Sequence, residues 1–152
     1  MKKTIVFIAS FLFLAFQVAA QADRIVGFWL VEEKDAQVQI VKSANGKYNG
    51  TIIWLDEPFE DDGSVKVDDE NPDPVLQKRT IMGLQLLKDF VYNSKEKEWD
   101  KGTIYDPDSG NTYDCYMWFD DDPNVLHIKG FILGMRFIGR SSTWYKSTDK
   151  RE

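Results

Sequence analysis

From residue 27 to residue 146 apolar and polar positions alternate with a period of two, and the 3.6-residue period of a long helix is missing. Each short run is bounded by turn residues and predicts a strand. Residues 28–30 open the series. Ala36, Val38 and Ile40 then alternate with Gln37 and Gln39, the pattern of a strand with one wet face. Asn45-Gly46 supplies the positive-φ pair of a tight hairpin, and residues 48–55, ending near Trp54, form the third strand. Runs at 83–92, 98–105, 112–119, 125–129 and 136–145 bring the total to about eight strands. Asp106-Pro107-Asp108-Ser109-Gly110 is a turn with proline and glycine where turns require them. Asn71-Pro72-Asp73-Pro74 is the one helical signal: Asp73 can cap and Pro74 can start a short helix through Arg79. The pattern predicts an all-β chain, an antiparallel up-and-down β-barrel of about eight strands with one short helix. Such a barrel closes its own edges and leaves room for a small ligand.

The first twenty residues fall outside this pattern. Lys2 and Lys3, an unbroken apolar run over 5–16, and Val18-Ala19-Ala20 read as a cleavable export signal, with cleavage near Ala20-Gln21. The expectation is a periplasmic or secreted protein with one barrel domain over 21–152. The apolar run is too short for an ordinary membrane span, and no later segment approaches one, so no integral membrane segment is expected after cleavage. The chain carries a formal charge of -6, or about -8 once Lys2 and Lys3 are removed. That acidity argues against nucleic acid or an anionic membrane as partner.

The catalytic inventory is thin. Cys115 is the only cysteine, so no intramolecular disulfide can form, and its alternating strand points it inward as a small hydrophobe. His127, the only histidine, shares the wet face of its strand with Lys129. Neither a Ser-His nor a Cys-His pair emerges, and the count excludes a usual Cys/His zinc site. No catalytic residue, cofactor or metal ligand is assigned. The acidic segment 56–73, opening on Asp56 and closing on Asp73, cannot be core. It is rich in oxygen ligands for calcium, or it could receive a partner, but an EF-hand register on Gly63 puts Pro58 at the first ligand position. Asp106, Asp114 and Glu57 flank aromatic strands, which keeps an enzyme working through buried carboxylates as an alternative.

The aromatics lead further. Trp29, Trp54, Trp99, Tyr105, Trp118 and Trp144 are spread over most strands. Arg140 and Trp144, four residues apart, share a strand face. Arg79 follows the helix expected to cap the barrel mouth. Trp54, Arg79, Tyr105, Asp106, Arg140 and Trp144 are therefore the candidate lining of a site for a small hydrophobic or amphipathic ligand with a carboxylate. Gly27, Trp29 and Arg140 are assigned to closure, with Gly27 letting the chain cross near the barrel floor and the Arg140 guanidinium stacked on Trp29.

The Gly27-Phe28-Trp29 start resembles that of lipocalin-like barrels. Gly50-Thr51-Ile52-Ile53-Trp54-Leu55 with Glu57-Pro58, Asn71-Pro72-Asp73-Pro74 with Arg79 and Gly83-Leu84, Gly102-Thr103-Ile104-Tyr105-Asp106-Pro107 with Gly110 and Tyr113, and Gly139-Arg140 with Thr143-Trp144 resemble the bacterial domain-of-unknown-function 2147 family. The resemblance covers 27–145 and implies an exported, calycin-like (lipocalin-like) barrel; it carries no activity with it. The chain departs from the pattern at Lys78 and in a longer, more apolar Phe131-Ile132-Leu133 loop. The function expected is binding of a small amphipathic ligand in the barrel. The alternatives are an envelope interaction protein with a filled barrel, using the acidic segment, and the carboxylate enzyme.

Overall fold

The computed structural model describes residues 20–152, so the export signal expected over 1–20 lies, but for its last residue, outside the described residues. Eight strands run β1 (Gly27–Leu30), β2 (Ala36–Lys42), β3 (Tyr48–Leu55), β4 (Gln85–Asn93), β5 (Glu98–Asp106), β6 (Asn111–Phe119), β7 (Val125–Ile132) and β8 (Met135–Ser147). Each pairs antiparallel with the next, and β1 pairs with β8 through Trp29 opposite Lys146, which closes the barrel. The period of two becomes an inside and an outside. Trp29 faces Val38, Trp99 faces Met117, and Leu126 faces Trp144, all of them buried.

Small and large residues interlock along the axis. A Cβ at Gly50 would lie 2.9 Å from Leu87 and 3.0 Å from Val38, and one at Gly102 would overlap the Phe90 ring. Register shifts at Gly50 and before Gly102, with positive φ at Asp89 (65°) and Lys101 (60°), bend β4 and β5 so that these glycines meet the large side chains. Phe90 and Leu87, both wholly buried, thus occupy the space that Gly102 and Gly50 leave.

One end of the barrel is closed by a 3-10 turn, Asp23–Ile25. The Trp29 indole N–H donates to the Ile25 carbonyl at 2.8 Å, and that of Trp99 donates to the Ala22 carbonyl at 2.9 Å. The Tyr48 hydroxyl donates to Asp23 at 2.6 Å and the Lys42 ammonium does so at 2.8 Å. The Lys42 hydrogen bond holds the Asp23 carboxyl below its ordinary range, while burial pushes the Tyr48 hydroxyl up to about 12.

The floor differs from expectation in two ways. A Cβ at Gly27 would meet nothing within 4 Å; glycine serves there through its φ of +139°, not through close approach. The cation over Trp29 is Lys146, its ammonium 5.7 Å from the ring, and not Arg140. Antiparallel register sets Trp29 beside Lys146 and leaves Arg140 six residues along β8, opposite Gly130 near the other end. The expected helix through Arg79 narrows to a single 3-10 turn, Leu76–Lys78. Asp73 does not cap it: the N-cap is Val75, without a side-chain cap bond, and the Asp73 carboxylate accepts instead from the Val75 N–H at 2.9 Å in a local turn ahead of the 3-10 turn.

Candidate functional site

Strand direction gathers four connections at the end opposite the floor: 31–35, the long 56–84 loop, 107–110, and the β7–β8 turn. This is the barrel mouth. The 56–84 loop is folded on itself by bridges Phe59–Val65 and Val67–Thr80, and a polar knot through Tyr105 of β5 fastens it to the mouth. Asp68, 0% exposed, accepts from the Tyr105 hydroxyl at 2.6 Å and from the Asn71 amide at 2.8 Å. The Arg79 guanidinium closes on the same carboxylate at 2.7 and 2.6 Å and lies 5.2 Å from the Tyr105 ring centre. Burial, then the Asp68 hydrogen bond, raises the Tyr105 hydroxyl above its ordinary value.

The six candidate lining residues thus separate. Arg79 and Tyr105 do meet, but the carboxylate they bind is Asp68 of the same chain. Trp54 faces outward, where its indole N–H donates to the Glu152 carbonyl at 3.0 Å and Arg151 stacks over its ring at 4.8 Å. The neighbouring Gln37 is buried under the same C-terminal tail: its amide donates to the Asp149 carbonyl and its oxygen accepts from the Arg151 N–H, each at 2.9 Å. Asp106 caps its turn, accepting from Ser109 at 2.7 Å and from the Asp108 N–H at 3.2 Å. Trp144 is core, and Arg140 is exposed on β8. No two of Trp54, Asp106, Arg140 and Trp144 converge on one hollow.

The acidic segment also departs from expectation, because Asp68 and Asn71 are buried. An acid can sit there because an arginine and two further donors replace its water. Short-range pattern could not reveal this, since Asp68 meets Arg79 and Tyr105 only when the loop folds back on β5. Among the described residues no group of three acidic, cysteine or histidine side chains is arranged to hold a metal ion. The other buried acid, Glu98, is bound by Arg136 at 2.7 Å, so each of the two buried carboxylates has its own guanidinium. Cys115 is core, and burial raises its thiol above the ordinary range. His127 lies on the outer face, stacked on Trp118 at 5.2 Å and 3.1 Å from Asp120.

Two hollows lie outside the barrel. One, of about 470 Å³, lies beside Gly27, Phe28, Asn124 and Lys146 at the floor end; the other, about 350 Å³, lies beside Asp100, Tyr116, Phe131 and Arg136. Both are open to solvent. Exposed apolar side chains concentrate instead at the mouth: Phe59, Val65, Val75 and Met82 on the long loop, and Ile132, Leu133, Phe137 and Ile138 at the β7–β8 hairpin.

Comparison with solved structures finds a Helicobacter pylori protein described as belonging to the lipocalin family. It is 24% identical, with a TM-score of 0.67 over 82% of this chain and 84% of that one, a likeness of fold. No curated protein sequence matches. The family model described as "Uncharacterized protein conserved in bacteria (DUF2147)" matches residues 27–146. With that match spanning all eight strands but the last residue of β8, the chain belongs to the bacterial DUF2147 family.

Proposed function

We propose that this chain is an exported binding protein that works from its surface, with the filled barrel as a rigid scaffold and the acidic 56–84 loop as the recognition element. The observation carrying this reading is the interlocked interior, where Phe90 and Leu87 stand against Gly102 and Gly50 and occupy the axis a ligand would need. The loop supplies what recognition requires. It carries nine acids against three bases, and it presents Phe59 and Val75 to solvent. The Asp68 knot fixes its backbone beforehand, which lowers the ordering cost of binding. Charge complementarity selects a cationic, partly apolar partner, such as a basic peptide segment. Export is supported by Lys2-Lys3, the apolar run and Val18-Ala19-Ala20.

The test is amide and methyl NMR of the mature chain, titrated separately with a long-chain fatty acid and with a lysine-leucine peptide. The expected result is salt-sensitive shifts confined to 56–84 with the peptide, and unmoved Met117 and Ile128 methyls with the fatty acid. Saturable shifts of those methyls would overturn the reading in favour of an enclosed ligand.

A further inference from the structure

The β7–β8 hairpin departs from the rest of the molecule in charge, shape and strain. Residues 123–148 contain no acid but include Lys129, Arg136, Arg140 and Lys146, within a chain whose net charge is -6. Its register jumps: Phe131 faces Gly139, yet Ile132 faces Met135, so Arg136, Phe137 and Ile138 have no opposite number in β7 and bulge outward. Gly139 permits this crossing, because a Cβ there would overlap the Gly130 carbonyl. Leu133 stands at the turn with φ +54°, a left-handed conformation that asparagine or glycine adopts with less strain, and it is 83% exposed; Phe137 is 79% exposed. Leucine at such a position gains the fold nothing.

We propose that this hairpin docks the protein on an anionic lipid surface, with Leu133 and Phe137 entering the acyl boundary and Arg140 and Lys129 meeting the headgroups. Apolar residues at the apex with cations behind them are the arrangement an interface of this kind selects. The acids nearest the hairpin are Glu98, bound by Arg136, Asp114, opposite Phe131, and Asp100, which with Asp114 lines the hollow beside Gly134 and Arg136; none is paired across the strands with Lys129 or Arg140. The net acidity that argued against an anionic membrane is a property of the whole chain, and its effect on this contact is reduced because charges more than about 8–10 Å away are largely screened at physiological salt. A second copy is the weaker occupant. A stable interface takes about 800 Å² from each partner, and four partly exposed side chains on a narrow tip fall short of it. This inference is independent of the proposed role of the 56–84 loop, which lies on a different part of the mouth.

The test is flotation of the mature protein with phosphatidylglycerol-containing vesicles and with pure phosphatidylcholine vesicles. The wild type is expected to float with the former only, and less in high salt. Leu133→Asn with Phe137→Ser should lower partitioning roughly tenfold or more. Lys129→Glu with Arg140→Glu should lower it similarly, at roughly fivefold per basic charge removed. Leu133→Asn fits the left-handed turn, so its melting temperature should hold or rise, separating lost docking from lost folding. Phe137→Trp should show blue-shifted emission with the anionic vesicles alone. Failure of the wild type to float, equal flotation of all variants, or variants that change only self-association in lipid-free sedimentation would each overturn the proposal.

Discussion

Gly102→Ala tests the filled barrel directly. A Cβ at that position lies within 2.7 Å of three atoms of the Phe90 ring, where carbon atoms rest about 3.5–4.0 Å apart. The ring must retreat by roughly 1 Å, and Phe90 is wholly buried. Overpacking of this kind costs about 1–3 kcal/mol. Replacing a strand glycine returns about 0.5–1 kcal/mol of backbone entropy, because φ at Gly102 is not in the left-handed region. The net loss is about 0.5–2 kcal/mol, a fall in melting temperature of about 2–10 °C for a chain of this size. Thermal unfolding of the mature chain, followed by near-UV circular dichroism, reads it. Phe90→Leu alone also destabilises, but combined with Gly102→Ala the losses should be less than additive, since the shorter side chain leaves room for the methyl. An unchanged or raised melting temperature in Gly102→Ala, or strict additivity in the double variant, would show free space beside Phe90 and refute the filled interior.

Three other outcomes follow from the same packing. Asp68→Ala leaves the Tyr105 hydroxyl and the Arg79 guanidinium without their acceptor and should cost about 2–4 kcal/mol, less than a fully buried pair because Arg79 is partly solvated, with faster proteolysis within 56–84. Burial raises the Tyr48 hydroxyl to about 12 against 10.0, so its contribution to stability is complete below pH 10 and is lost as pH rises towards 12; Tyr48→Phe should flatten a stability profile measured across that window. Cys115, buried with a raised thiol pKa, should resist a thiol reagent at neutral pH until the chain unfolds, and rapid labelling of the native protein would contradict the packing of β6.

The alternation of Val38 and Ile40 with Gln37 and Gln39, the turn at Asn45-Gly46 and the spacing of the runs determined the strands, because side chains in a strand alternate locally whatever the rest of the chain does. The same local rule placed Cys115 inward and His127 outward. It could not say which distant residues meet. Register decided that Lys146 lies over Trp29, and the return of the 56–84 loop onto β5 turned Arg79 from a ligand contact into the partner of a buried Asp68. Gln37 reads as a wet strand position, yet it is buried because a tail more than 110 residues away crosses it. Whether the barrel holds a hollow was likewise beyond periodicity. Aromatic residues on most strands fit a lined cavity and a solid core equally well. Only the register that sets Phe90 against Gly102 and Leu87 against Gly50 decides between them, since the fit of large on small across strands is a property of three-dimensional neighbours.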